Sequence, residues 1–209
     1  GSPVTNTMLE VATSSNLWVN LFIMVLCAPV AEELIFRKLL IDRLAQYGEG
    51  VAVLFSGLMF GLFHGNLNQF VYAFVLGLCF GFIYVKTGNI RYTIGLHMLV
   101  NFLGSVLGVA ILKWLGDDFL SIASDPAGMM SYMTGNFGKL IVYFIYIFLL
   151  LGVAIAGIIL FIVNLKKIRF LPGMNTLPKG KRFSTTVLNV GMALYMIVWI
   201  VIIIVQLFQ

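Results

Sequence analysis

The segment 140–163 reads LIVYFIYIFLLLGVAIAGIILFIV and contains no charged side chain. A helix rises about 1.5 Å per residue, so about 20 apolar residues are enough to cross the hydrocarbon core of a bilayer. The segment is longer than this minimum and holds no proline. It therefore predicts a transmembrane helix, and with it a membrane protein.

The composition of the whole chain agrees with this prediction. Hydrophobic residues make up 61% of the 209 residues, charged residues make up 10%, and the mean hydropathy is +1.04. A soluble domain usually has about a quarter of its residues charged, because it must present a polar surface to water. An ordinary soluble globular protein is therefore excluded, and no nucleic-acid partner is expected.

Apolar runs recur on both sides of segment 140–163. They cover 17–30, 51–63, 70–85, 90–112 and 187–207, which makes six spans in all. The first run continues to residue 48 with a helical period, and Pro29 is predicted to kink it. We therefore expect an all-α, polytopic membrane helix bundle of about six transmembrane helices. It would form a single transmembrane domain over 1–209, with a motif-bearing core at 17–113 and additional helices at 139–208.

The charges between the spans predict an orientation. Lysine and arginine concentrate in cytoplasmic loops of membrane proteins. Here basic residues follow the first span (Arg37, Lys38 and Arg43), separate the third span from the fourth, and fill 166–182. The connection between the fourth and fifth spans is acidic, with Asp117, Asp118 and Asp125. Strict alternation of six spans would place the three basic connections on the cytoplasmic side.

The first two ionisable residues inside an apolar span are Glu32 and Glu33. Such residues are costly in a membrane, and each is a candidate functional residue. Glu33 and Arg37 are four residues apart, so they share a helix face and are predicted to pair. Glu32 points about 100° away around the helix. One carboxylate can thus be held by Arg37 while the other faces a cavity.

Both histidines of the chain also lie inside apolar spans. His64 follows Phe60 by four residues, and Asn101 follows His97 by four, so the Asn101 amide can lie beside the His97 imidazole on one helix face. Counted from the cytoplasmic ends at ~1.5 Å per residue, Glu32, His97 and Asn101 fall at similar depths in the membrane, with His64 deeper. They are predicted to meet in a cavity between the first, second and fourth spans.

This set of residues suits amide hydrolysis. A carboxylate beside an imidazole can take a proton from water and later deliver it to a leaving amine, and a second imidazole and a carboxamide can stabilise an oxyanion. No serine or cysteine stands in a recognisable nucleophile motif, so water is the expected attacking group. A divalent metal, with zinc as the candidate and Glu32, His64 and His97 as ligands, is the open alternative.

Three motifs carry a resemblance to a known family. They are Glu32-Glu33-Leu34-Ile35-Phe36-Arg37, Phe60-Gly61-Leu62-Phe63-His64 and His97-Met98-Leu99-Val100-Asn101. In this order, each in an apolar span, they are similar to the signature of the CAAX-protease and bacteriocin-processing (Abi) family, which includes the type II CAAX prenyl endopeptidases. The resemblance covers 32–101, about a third of the chain, and implies an intramembrane protease.

The resemblance also implies a role for each matching residue. Glu32 would activate the water with help from His64, and His97 and Asn101 would form the oxyanion hole. Glu33 and Arg37 would be orienting or structural, and Phe60 would pack the pocket. The family has been described both as metalloproteases and as glutamate-dependent proteases, so the resemblance leaves the metal open.

The substrate implied by the resemblance is a membrane-embedded or lipidated peptide, of CAAX type or like a bacteriocin or signal peptide. A compact member of this kind would be expected in a bacterial plasma membrane. Two other readings remain: a non-catalytic membrane scaffold or immunity partner that binds another membrane protein, and a transporter whose buried Glu and His residues relay protons. The chain starts Gly1-Ser2-Pro3 without a methionine, as expected where upstream residues have been removed.

Overall fold

The computed structural model describes residues 7–116, 119–175, 178, 180–181, 185 and 189–207. Within these residues the chain is helical and contains no strand. The helices are α1 (Thr7–Ser14), α2 (Leu17–Tyr47), α3 (Glu49–Phe63), α4 (Leu67–Thr87), α5 (Ile90–Leu115), α6 (Phe119–Ile122), α7 (Pro126–Asn164) and α8 (Val190–Leu207). The prediction of an all-α membrane bundle is confirmed.

Four stretches of the described chain are long and apolar enough to cross a membrane: Leu17–Tyr47, Leu67–Thr87, Ile90–Leu115 and Pro126–Lys167. The predicted spans at 51–63 and 187–207 correspond to the shorter apolar helices α3 and α8. Residues 187 and 188 lie outside the described residues, as do Gly1, Ser2 and Pro3. The chain is an integral membrane protein.

Glycines allow α3 and α4 to pack closely. Each helix carries two glycines four residues apart, Gly57 and Gly61 on α3 and Gly77 and Gly81 on α4. A Cβ atom added to Gly77 would lie 2.8 Å from the Cα atom of Gly57. Small residues at this spacing let membrane helices approach until their backbones touch. The crossing therefore fixes the position of the residues that α3 and α4 present to the rest of the bundle.

Three stretches of the motif-bearing helices are π-helical: Leu21–Cys27 and Leu34–Ile41 in α2, and Phe102–Gly108 in α5. A π segment replaces the usual i→i−4 backbone bonds by i→i−5 bonds and leaves carbonyl groups to other donors. Side chains supply those donors: Ser56 Oγ donates to the Phe36 carbonyl at 2.8 Å, and Tyr146 OH donates to the Leu103 carbonyl at 2.7 Å. Such bonds satisfy backbone groups where water is absent.

The connection before α7 differs from the sequence prediction. The apolar run predicts a span that begins at residue 140, but the long helix α7 already begins at Pro126. The side chain of Asp125 accepts hydrogen bonds from the backbone N–H groups of Ala127 and Gly128, and proline fits the first helical position. The helix is kinked at Asn136, whose backbone angles are φ −128° and ψ 24°. Asp117 and Asp118 lie outside the described residues.

The predicted basic connections meet at one end of the bundle. Glu49, at the start of α3, pairs with Lys86 near the end of α4, and its carboxylate accepts a hydrogen bond of 2.8 Å from the backbone N–H of Leu171. The backbone N–H of Glu49 also donates to the Leu171 carbonyl at 3.1 Å. The segment after α7 is thereby attached to the core. Lys179 and Arg182 of the same connection lie outside the described residues.

Candidate active site

Glu33 is the centre of a buried polar cluster between α2 and α5. Its side chain is 0% exposed, as is that of Arg37 one turn further along α2. Oε2 of Glu33 lies 3.0 Å from Nε of Arg37, and Oε1 lies 3.0 Å from Nδ1 of His97. The predicted pairing of Glu33 with Arg37 is confirmed. Glu33 also holds His97, because the Nδ1–H group of the imidazole can donate to its carboxylate.

The guanidinium of Arg37 is enclosed by aromatic rings. Its Cζ atom lies 4.5 Å from the centroid of Phe60 on α3 and 5.6 Å from that of Phe80 on α4. The Nη atoms make no hydrogen bond within the described residues, and the carboxylate of Glu33 and the two aromatic rings lie against this charge and stabilise it. Arg37, Lys38 and Arg43, which were expected to follow the first span, all lie inside α2, because this helix continues to Tyr47.

Glu32 lies on another side of α2 and has a different environment. Its side chain is 16% exposed, and its Oε2 atom is buried without a hydrogen-bond partner in the part of the chain that the structure describes. This oxygen lies 3.7 Å from Nε2 of His97, which is longer than a direct hydrogen bond. A water molecule could bridge the two atoms at about 2.8 Å from each. The two adjacent glutamates thus approach the two nitrogens of one imidazole.

His64 stands at the carboxyl end of α3, beside the aromatic residues of the site. Its Nδ1 atom lies 2.9 Å from the carbonyl oxygen of Phe60 and can donate to it, which leaves Nε2 available. The Phe60 ring contacts both histidines, with centroid distances of 4.9 Å to His64 and 5.5 Å to His97. Among the described residues, no hydrogen bond or ion pair joins His64 to Glu32. The structure connects His97, rather than His64, directly to the glutamates.

Asn101 lies one turn beyond His97 on α5, as predicted, and is bonded to α2. Its Nδ2 atom donates to the backbone carbonyl of Met24 at 2.7 Å. One N–H of the carboxamide is used in this bond, and the second N–H of the same group remains for another acceptor. Glu32, Glu33, His97 and Asn101 are thus brought together at the α2–α5 interface, while His64 and Phe60 approach from α3.

The candidate metal ligands do not form a compact set. Among the described residues, no three His, Cys, Asp or Glu side chains come together as a metal site requires. Glu32 and His97 are near each other, but Nδ1 of His64 is directed to the Phe60 carbonyl. The arrangement of these side chains therefore fits a zinc site poorly.

The last helix, α8, packs beside the site although it contains none of the three motifs. The hydroxyl group of Tyr195 on α8 donates to the Met59 carbonyl of α3 at 2.7 Å. The ring of Trp199 packs edge-on against Phe63, with centroids 5.2 Å apart, and Phe63 is the neighbour of His64. α8 therefore packs against the end of α3 that carries His64.

Sequence reasoning did not find three of the groups around the site. Phe80, which contacts both Arg37 and His97, stands in an apolar run with nothing to distinguish it. The Ser56 hydroxyl donates to a backbone carbonyl of one π segment, and the Met24 carbonyl of another π segment accepts from Asn101. An apolar sequence does not reveal either bond. Pro29 was a signal, because a proline inside a helix removes a backbone donor.

Two comparisons with known proteins found similar sequences. The sequence model of a family described as "Type II CAAX prenyl endopeptidase Rce1-like" matches residues 14–103. The chain is also similar to the "Putative membrane peptidase YdiL" of Bacillus subtilis (strain 168), with 32% identity over 74 residues. That match covers 35% of this chain and 30% of the relative's length. No solved structure matches the chain significantly.

The family match begins before α2 and ends just after Asn101. It therefore contains both glutamates, both histidines and the asparagine that the structure brings together, and it leaves out α7 and α8. The resemblance of this chain to the intramembrane CAAX-protease family, in its Rce1-like branch, is thereby confirmed over residues 14–103.

Proposed function

We propose that the protein is an intramembrane endopeptidase in which Glu32 is the general base that activates water. One observation carries this proposal: Oε2 of Glu32 is buried, has no hydrogen-bond partner among the described residues, and lies 3.7 Å from Nε2 of His97. A carboxylate oxygen that no protein group uses is available to take a proton. Glu33 is already occupied by Arg37 and His97.

The residues around Glu32 have the other roles in the proposed mechanism. Glu33 and Arg37 hold each other in the buried cluster, and Glu33 fixes the orientation of the His97 ring. His97 and Asn101 are the donors for an oxyanion: His97 donates from Nε2 in its imidazolium form, because its Nδ1–H is already given to Glu33, and the Asn101 amide has a second N–H. Donors that are held in place before the reaction stabilise the transition state without reorganisation.

The reaction then proceeds through a tetrahedral intermediate. Glu32 takes one proton from water while the water oxygen attacks the carbonyl carbon of the peptide bond, and the carbonyl oxygen becomes the oxyanion. When the C–N bond breaks, the proton on Glu32 passes to the leaving amine, and a carboxylic acid and an amine are released. His64, with Nε2 available beside Phe60, would assist this proton transfer through water.

We further propose that the substrate is a membrane-associated peptide or protein. The site is enclosed by apolar helices that cross the membrane, so the peptide must enter from the bilayer or be held there by a lipid. The name of the matched family favours a prenylated CAAX-type peptide. The proposal keeps a bacteriocin-like or signal-peptide-like peptide as the alternative substrate. It also includes a membrane protein partner and a location in a bacterial plasma membrane.

The experiment compares hydrolysis by the purified wild-type protein with that by Glu32→Gln. Two probes are used: a fluorogenic prenylated peptide ending in a CAAX sequence, and the peptides released from membranes that contain each protein, identified by mass spectrometry. Asp42→Asn, which removes a charge from the same helix ten residues away, is the matched control. Activity that is lost in Glu32→Gln and kept in Asp42→Asn would support the proposal, and full activity in a folded Glu32→Gln protein would overturn it.

A chelator distinguishes the two forms of water activation. If Glu32 activates water alone, wild-type hydrolysis is unchanged after treatment with a strong divalent chelator and dialysis. If activity is lost and is restored by zinc alone, the carboxylate acts as a metal ligand and the general-base assignment is overturned.

A further inference from the structure

We infer that Pro29 is a positioning residue that leaves a backbone carbonyl of α2 free to anchor Asn101 beside His97. The inference concerns a residue of the first apolar span that none of the three motifs includes. Its effect on catalysis rests on the proposed function, whereas the anchoring itself is a property of the fold.

In the π segment Leu21–Cys27, backbone N–H groups donate to carbonyls five residues earlier. At its end, the N–H group of Ala28 donates to the carbonyl of Ile23, five residues earlier. In that pattern the next donor, residue 29, would pair with the carbonyl of Met24. Pro29 has no N–H group, so this bond cannot form. The α-helical alternative, Ala28 to Met24, is also unavailable because the N–H of Ala28 is already used.

The Met24 carbonyl is therefore left without a backbone donor in an apolar environment. Pro29 is among the fully buried side chains, with less than 2% exposed. An unsatisfied carbonyl at membrane depth is costly, so a donor from another helix is strongly favoured there. Asn101 is that donor, with its Nδ2 atom 2.7 Å from the Met24 oxygen.

This bond restricts the carboxamide that the proposed mechanism uses. Asn101 follows His97 by one helical turn on α5, and the π segment Phe102–Gly108 begins immediately after it. With one N–H fixed on α2, the plane of the amide is set before a substrate arrives, and the second N–H is held in one direction. Preorganised donors of this kind can change kcat by about a hundredfold or more.

The variant that tests the inference is Pro29→Ala, which restores the missing N–H group. That N–H can bond to the Met24 carbonyl and displace Asn101. Alanine is also a better helix former than proline in a helix interior. We therefore expect thermal stability in detergent that is equal to or higher than that of the wild type, together with a kcat about tenfold to a hundredfold lower and little change in KM. If Pro29 only shaped the helix, Pro29→Ala would not lower kcat while stability is kept or raised.

A matched control exists in the same pair of helices. Asn20 donates to the carbonyl of Ser105 at 3.1 Å and to that of Ala12 at 2.8 Å, so it too joins α2 to α5 through an amide–carbonyl bond. Its position has no proline and no histidine beside it. Asn20→Ala should lower stability and leave kcat nearly unchanged, which is the reverse of the Pro29→Ala result.

Pro29 is three residues from Glu32, and a double-mutant cycle separates the two routes. If Pro29 acts through Asn101, then Asn101→Ala lowers kcat strongly in the wild type and adds little to Pro29→Ala. If the kcat of the double variant is instead lowered by the full product of the two single reductions, Pro29 acts through Glu32 and the inference is overturned.

A readout that needs no activity completes the test. In protein labelled with 15N-asparagine, the side-chain amide signal of Asn101 is assigned by its loss in Asn101→Ala. A shift of this signal in Pro29→Ala would support the anchor, and an unchanged signal would overturn it. If the signal shifts while no Glu32-dependent hydrolysis is found with either probe, then the proposed function fails and the anchor stands.

Discussion

The carboxylate of Glu33 lies 3.0 Å from Nδ1 of His97, across the interface between α2 and α5. The same carboxylate is paired with Arg37 on its own helix, so a single fully buried glutamate holds both the charge of the arginine and the orientation of the imidazole. The adjacent Glu32 takes no part in this pairing, and the cluster is sensitive to any change that leaves one of these charges unpaired.

We predict that Arg37→Met strongly destabilises the protein, because Glu33 would then be a buried charge without its cation. Removing one partner of a buried pair costs about 3–5 kcal/mol. Glu33→Gln should have a comparable effect, and the double variant should be less destabilised than the sum of the two. The measurement is unfolding in detergent micelles.

The same helix provides the control for this cycle. Lys38 and Asp42 form another pair with four-residue spacing, but their side chains are 55% and 41% exposed. Lys38→Met should therefore change stability little. Equal losses for Lys38→Met and Arg37→Met would show that the burial of the Arg37 pair has no energetic consequence.

We predict that Gly77→Ala weakens the packing of α3 on α4. The added Cβ would lie 2.8 Å from a backbone atom of Gly57, and backbone cannot move aside as a flexible side chain can. Overpacking of this kind costs about 1–3 kcal/mol. Unfolding and hydrolysis are measured together, because the same crossing places Phe60 and Phe80 around Arg37.

Gly152→Ala on α7 is the comparison for that change. A Cβ at Gly152 would meet no atom within 4 Å. In a helix interior, alanine is favoured over glycine by about 1 kcal/mol, so this variant should be neutral or slightly more stable. If Gly77→Ala behaved in the same way, the close crossing of α3 and α4 would be contradicted.

Short-range features of this structure could be predicted from the sequence. The apolar runs locate the helices, because a membrane span must be long and free of charge. The four-residue spacing of Glu33 and Arg37 was sufficient to predict their pairing, although Arg37 lies in the π segment Leu34–Ile41. The spacing of His97 and Asn101 likewise placed both on one face of α5.

Features that depend on packing between helices could not be predicted in this way. Nothing in the apolar run around Phe80 distinguishes it from its neighbours until α4 is placed against α2. That His97, rather than His64, contacts the glutamates is decided by how α5 lies on α2. The π segments could not be predicted from a fixed 3.6-residue period either. Each π segment changes the direction of the side chains that follow it relative to those that precede it.

We predict that Glu49→Ala releases the segment that follows α7. The Glu49 carboxylate binds Lys86 and the backbone N–H of Leu171, and a charge-assisted hydrogen bond contributes about 1.5–3 kcal/mol. Trypsin sites at Lys166, Lys167 and Arg169 lie at the start of this segment and are exposed. Cleavage there should become about tenfold faster.

Asp42→Ala is the control for the proteolysis experiment. Asp42 also lies at the basic end, where it accepts a hydrogen bond of 2.7 Å from the hydroxyl of Tyr84 and pairs with Lys38. Among the described residues, no hydrogen bond or ion pair joins it to the segment after α7. An equal increase in cleavage for the two variants would show that the segment is not held by Glu49 in particular.

We predict that Trp199→Ala loosens the turn that carries His64. Trp199 packs against Phe63, and a side chain added at Gly65 would meet its ring. The expected results are a loss of stability of about 1–3 kcal/mol and faster hydrogen exchange in residues 64–66. Trp18→Ala, which removes a tryptophan that is 76% exposed, should change neither. Unchanged hydrogen exchange in residues 64–66 of Trp199→Ala would show that α8 does not stabilise this turn.

In the π segment Leu21–Cys27, the number of residues matters more than the identity of their side chains. Many apolar side chains would suit these positions, since most of them face outward. Loss of one residue among 21–23, however, would let the segment relax to an ordinary α-helix, and the N–H of Ala28 would then reach the Met24 carbonyl. Glu32 would keep its place in such a shortened helix, yet Asn101 would lose its anchor. A segment that tolerates many substitutions is in this way intolerant of a single deletion.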